Sequence, residues 1–150
     1  MEINNSIYIN SFVNVDDKTT NVKPKDSINS MLFVAIHLLD ARYYLAKIIG
    51  ISKKFPLKDI FDQAQKFLDI SPLPNLDKLV NTWSTIHKQL FEELNKLTEI
   101  DLKKNISQKL PVVDQTLLGA LTFLLQHESY HIGQLGYLRM YFGFDAVKYS

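Results

Sequence analysis

The sequence predicts an all-α bundle, and three observations carry that prediction. No stretch alternates apolar and polar residues in the two-residue period of a half-buried strand. Three long segments instead repeat apolar residues at helical spacing. The prolines, at 24, 56, 72, 74 and 111, fall between those segments, where a residue without an N–H donor does no harm. Three long helices and a weaker N-terminal one make a bundle the economical packing.

Taken in order, the opening residues have the least pattern. Ile7 to Val15 fits a short helix or an extended arm, and Asp16 to Asp26 reads as a polar loop. The next segment opens on Asp26 and Ser27, good N-cap residues, and stops at Gly50, a good C′ residue. From Met31 to Ile49 it is apolar on nearly every face, with His37, Asp40, Arg42 and Lys47 as its ionisable residues. A helix apolar all round is a buried central helix. A long connection to Pro74 follows, with a short helix expected near Leu57 to Leu68. Leu79, Trp83, Ile86, Leu90, Leu94 and Leu97 then mark one face of a helix over Leu76 to Leu97. The last helix starts after Pro111, with Asp114 as N-cap, and ends near Gly143. Its stripe is Leu117, Leu121, Leu124, His131, Leu135, Leu138 and Phe142, with His127 between Leu124 and His131.

The length of 150 residues suits one domain with one core. Hydrophobic residues at 46% against 22% charged place the chain among globular rather than disordered sequences. The net charge of +1, with basic residues only in short pairs, argues against nucleic acid as a partner. The absence of cysteine removes disulfides, thiolate ligands and a cysteine nucleophile together. Neither a signal peptide nor a membrane span of roughly 20 apolar residues is evident, so the expected setting is cytoplasmic.

The chemistry lies with the histidines, of which there are four. His127 and His131 are four apart, so their Cβ atoms should sit roughly 6 Å apart on one helix face, the apolar one. Two imidazoles so placed can share an ion at about 2.0–2.1 Å each. His37 occupies a comparable place in the central helix. Three such ligands leave a coordination position for water or substrate. Spacing alone leaves a second reading open, in which these are hydrogen-bonded core histidines. His87, off the Leu79–Trp83–Leu90 stripe, is expected at the surface or rim.

Residues 127–131, His-Glu-Ser-Tyr-His, also match the H-E-x-x-H helix of zinc peptidases. Such peptidases need a further ligand, usually downstream. No His or Glu follows His131, and Asp145 lies past the helix end. Gln134 and Tyr137 stand where the extended motif has Gly and His. A peptidase is therefore set aside.

Taken whole, the run His127 to Arg139 (HESYHIGQLGYLR) resembles the last-helix signature of the DinB-like superfamily. The segment Asn29 to Gly50, with His37-Leu38-Leu39-Asp40-Ala41-Arg42-Tyr43-Tyr44-Leu45-Ala46, is similar to that family's second helix. The Trp83 helix and the run Thr116 to Leu121 fit as well. The resemblance covers roughly Asp26 to the C-terminus and implies a four-helix bundle of DinB-like type, here with a short or atypical first helix. It implies His37, His127 and His131 as ligands of one divalent metal, zinc or nickel. By the same resemblance the activity would be a metal-dependent thiol S-transferase using a low-molecular-weight thiol such as bacillithiol, mycothiol or glutathione, or a hydrolase, acting on small molecules. The alternative is a non-catalytic metal-binding or dimerisation module.

Further roles follow from position. Glu128, about 100° round the helix from His127, is a candidate base or a surface ion pair. Gln134, three residues past His131, is a candidate ligand-lining residue or a helix–helix hydrogen bond. Tyr44, seven past His37, is a candidate pocket residue or an ordinary core tyrosine. Asp40 and Arg42 should each partner a neighbouring helix, and Gly133 and Gly136 should permit close helix approach. A first helix too short to cover the central one would leave an apolar flank, which favours a homodimer.

Overall fold

A computed structural model of the chain describes residues 1–26, 28–65 and 74–149. Among them are seven helices and no strand: α1 (Glu2–Asn10), α2 (Asp17–Asn21), α3 (Met31–Ile48), α4 (Lys58–Gln65), α5 (Leu76–Leu94), α6 (Glu99–Leu102) and α7 (Leu117–Tyr141). An isolated bridge between Asn105 and Thr116 closes the loop after α6.

Four of these make the bundle. Helix α3 packs on both α5 and α7, and α1 closes the ring by packing on the same two. Contacts along the seams fix the directions. Asn4 reaches Glu128 and Asn10 reaches Lys148, so α1 and α7 run the same way. Glu2 pairs with His87 and Tyr8 stacks on Trp83, so α5 runs against α1. Val34 shares a cavity with Tyr130, Gly133 and Leu138, His37 meets His127 and His131, and Ala41 and Leu45 share a cavity with Leu121 and Leu124, so α3 runs against α7. Helices α3 and α5 are therefore parallel, which requires the chain to travel back along the bundle between them. The connection between Ile49 and Asn75, which carries α4, joins them.

The first helix is short, as expected, but it starts earlier than Ile7 and leaves no bare flank. Tyr8 is fully buried, its ring stacked at 3.8 Å and 11° on Trp83, and its hydroxyl donates to the Ala35 carbonyl. The following turn, which carries Asn14 at φ +64°, is clamped by Arg139, whose Nη1 donates to the Ser11 and Val13 carbonyls. The expected polar loop from Asp16 contains α2, because Asp16 caps it by accepting from the Lys18 and Thr19 amides.

The helix ends correct the sequence in detail. Ser30, not Asp26 or Ser27, caps α3 by accepting from the Phe33 amide, and Ser27 lies outside the described residues. Thr116, not Asp114, caps α7, while Asp114, two residues earlier, accepts from the Thr116 amide. Gly50 and Gly143 stop their helices at φ +89° and +84°, a conformation costly to any residue with a Cβ. Helix α4 lies within the expected Leu57 to Leu68 segment, of which positions 66–68 fall outside the described residues. The α5 stripe holds over Leu79, Trp83, Ile86 and Leu90, all fully buried, but the helix stops at Leu94, short of the expected Leu97, and Leu94 and Leu97 are only half-buried.

Neither Gly133 nor Gly136 serves helix approach: a Cβ on Gly133 would meet open space, and one on Gly136 only Val147 at 3.8 Å. Gly119 is the glycine that packing requires. A Cβ there would collide with the backbone carbonyl and carboxyl group of Asp114. Gly119→Ala is expected to lower the unfolding free energy by about 1–3 kcal/mol, read by urea denaturation. An unchanged midpoint would show that the Asp114 turn yields freely.

Candidate metal centre

Helices α3 and α7 bring His37, His127 and His131 together, the one seam on which the two most apolar helices meet. His127 and His131 lie one turn apart on α7, ring centroids 4.4 Å apart and edge to face, and His37 faces both from α3 at 4.9 and 4.5 Å. Nε2 of His37 lies 3.0 Å from Nε2 of His127. One ligand nitrogen from each of the three falls within 4.8 Å of the others.

This donor set fits a divalent ion. Two nitrogens bound to one ion at about 2.0–2.1 Å each stand about 3–3.5 Å apart, the separation His37 and His127 already have. Gln134 accepts at 2.7 Å from Nδ1–H of His131. That bond fixes the tautomer with the Nε2 lone pair free, as in second-sphere partners of ligating histidines. Nδ1 of His127 is buried with no hydrogen-bond partner. Burial lowers the pKa of His37 to about 4, with the neighbouring His131 and His127 adding to it. Burial, then the charge of His131, lowers that of His127. Both are thus neutral imidazoles at pH 7, the form that binds metal.

Aromatic rings wall the cluster. Phe33 and Phe61 lie against His37 at 6.2 and 5.9 Å, Phe123 against His127 at 6.1 Å, and Tyr130 against His131 at 5.0 Å. Phe61 comes from α4, so that short helix covers the site rather than the core alone. Tyr44 is half-buried against the core and is not among these rings. Gln134 holds His131 within its own helix instead of bonding across helices.

Glu128 departs most from expectation. It is no surface ion pair: it is 5% exposed and grips Arg42, itself 1% exposed, through Nε at 2.8 Å and Nη2 at 3.1 Å. Asn4 donates to the same carboxylate at 3.1 Å. Its oxygens are thereby held by the fold, not directed at the imidazoles. Arg42 also stacks on Trp83, 3.3 Å from the ring centroid. Asp40, half-buried, lies toward Lys58 and Asp62 of α4, and burial raises its pKa. His87 is buried at 8% exposure, not at the rim, because α1 covers that side of α5 and brings Glu2 to 3.3 Å from its Nε2.

Among the described residues no helix is long and apolar enough to cross a membrane. Comparison with curated proteins found no match. The sequence model of the DinB superfamily matches residues 7–135, which takes in the end of α1, the histidine on α3, the Trp83 helix and both histidines on α7. On that match, and with the helical ring and the histidine cluster it encloses, the chain belongs to the DinB superfamily.

Proposed function

We propose that the protein is a metal-dependent enzyme acting on small molecules, a transferase of the thiol S-transferase type or a hydrolase. His37, His127 and His131 hold its one divalent ion, zinc or nickel. The observation that carries this reading is the convergence of three imidazole nitrogens with no acidic or fourth histidine ligand beside them among the described residues. Three protein ligands are the number that leaves room for an exchangeable one.

When bound, such an ion acts as a Lewis acid that lowers the pKa of a thiol or a water. The chain's own residues do the rest. Gln134 orients His131, the ring wall of Phe33, Phe61 and Phe123 restricts water, and Tyr130, 65% exposed, stands where a substrate would enter beside His131. Glu128 has no part as a base in this reading, since Arg42 and Asn4 occupy it. The low-molecular-weight thiol is a co-substrate. The protein is read as cytoplasmic and homodimeric, and exposed Leu118, Leu125, Tyr137 and Met140 along α7 support self-association.

Elemental mass spectrometry of zinc- or nickel-loaded protein is the test. The wild type should carry close to one ion per chain, and His37→Ala, His127→Ala and His131→Ala should each lose it. Gln134→Ala should keep the site with about 10- to 100-fold weaker affinity. A loaded wild type should then conjugate thiol to an electrophile, or hydrolyse an ester, in a screen where the His127→Ala variant is silent. Folded wild type that takes up no metal overturns the reading, and metal retained by all three variants moves the site elsewhere.

A further inference from the structure

A groove of about 480 Å³ lies on the α3–α7 seam beside His131, on the Nδ1 side of its ring, where Gln134 stands. That volume falls within the range of small-molecule sites. Val34 and Leu138, both buried, form its base, and the exposed Tyr130 and Tyr137 rise as walls from α7. Gly133 lies between them on the same helix face, three residues after the one and four before the other.

No packing contact requires a glycine at 133. The residue sits inside α7, outside the positive-φ conformation that Gly50 and Gly143 adopt, and a Cβ there would meet open space. Glycine inside a helix costs about 1 kcal/mol relative to alanine. What its missing side chain does is leave the groove open, since a larger residue would project between the two tyrosines.

The spacing of the walls selects a shape. Tyr130 and Tyr137 are about 10.5 Å apart along the helix axis, and their side chains lean the same way. A flat ring midway would stand about 5 Å from each, within the range of favourable aromatic pairs. The lining selects polarity as well. None of its residues is charged, so a charged ligand would be desolvated without a partner. Gln134 commits Oε1 to His131, while its Nε2 donates to nothing among the described residues and is not a buried atom. It is an accessible donor in the wall, suited to a carbonyl oxygen.

We propose that this groove binds a flat, neutral ring bearing a carbonyl group, laid over Gly133 between Tyr130 and Tyr137, its oxygen accepting from Nε2–H of Gln134. The site is distinct from the coordination position of the ion and holds its ligand with or without metal.

Three near-isosteric probes separate the possibilities: benzamide, cyclohexanecarboxamide and benzoate, titrated into ¹⁵N,¹³C-labelled protein and followed by NMR. Benzamide should bind at least about fivefold tighter than cyclohexanecarboxamide, which lacks the flat ring. It should bind at least about tenfold tighter than benzoate, which adds the charge. It should shift the Gln134 side-chain amide and the methyls of Ile28, Val34 and Leu138, with and without chelator. Gly133→Leu should abolish these shifts while keeping the circular dichroism spectrum and the metal content of wild type. Tyr137 also belongs to the exposed α7 row, so the titrations run at two protein concentrations. Equal affinity for cyclohexanecarboxamide would overturn the role of the tyrosine walls, and tighter binding of benzoate would overturn neutrality. Binding abolished by chelator would place the ligand on the metal, and binding that weakens as protein concentration rises would give the groove to a second copy of the chain. Unchanged binding by Gly133→Leu, or no binding by any probe, would sink the proposal without touching the metal reading.

Discussion

Replacing Glu128 with alanine is expected to lower the unfolding free energy by about 3–5 kcal/mol, which is a large share of the stability of a domain this size. The reason is burial on both sides of the pair. Arg42 sits in the most apolar helix of the chain, 1% exposed, and Glu128 balances its charge from α7. Without that carboxylate the guanidinium keeps its stacking on Trp83 but loses the acceptor for Nε and Nη2. Asn4 loses one of its two side-chain partners, which loosens α1 as well. The comparison that isolates the effect is the double variant Arg42→Met/Glu128→Leu, which removes both charges and should recover most of the loss. Urea denaturation followed by Trp83 fluorescence reads all three proteins. A Glu128→Ala cost below about 1 kcal/mol, the range of exposed pairs, would show that water reaches the pair and that its burial is not felt. The same variant bears on catalysis, because a general base would leave stability intact and remove turnover.

What the sequence made legible, and what it hid, divides by how far each signal travels along the chain. Stripes such as Leu79–Trp83–Ile86–Leu90 are local, so α5 and α7 could be read directly. The histidine cluster was legible because two of its members share one helix face and the third interrupts an otherwise apolar helix. Helix α1 was not, since what fixes it is Tyr8 stacking on Trp83 and Glu2 reaching His87, both set by residues far along the chain. The same contacts explain His87: its burial comes from α1 lying over a flank of α5 that the α5 sequence leaves polar. The Arg42–Glu128 pair had a signal that could have been followed. A lone arginine and a lone glutamate, each placed in a helix otherwise rich in apolar residues, must be matched across the seam, because neither can be buried alone. The aromatic wall had none, as Phe33, Phe61 and Phe123 look like any core residues until the helices are assembled.

Zinc should stabilise the wild type by about 4 kcal/mol when free zinc stands a thousandfold above its dissociation constant, a shift in melting temperature on the order of 10 °C. The argument is linkage: an ion that binds the three assembled imidazoles and not the scattered ones of the unfolded chain adds its binding free energy to folding. The histidine variants sharpen the test because their two effects have opposite signs. In metal-free protein, His127 buries Nδ1 unpaired and faces a second imidazole nitrogen at 3.0 Å, so His127→Ala should cost little or even stabilise. In zinc the order reverses, since that variant should forgo the whole shift. Differential scanning fluorimetry of wild type, His37→Ala and His127→Ala, each with chelator and with a zinc series, gives both comparisons in one experiment. A zinc-induced rise of equal size in the variants would mean that the ion binds elsewhere. No rise in wild type at any concentration, with both variants less stable than it in chelator, would mean that the three histidines earn their burial by packing.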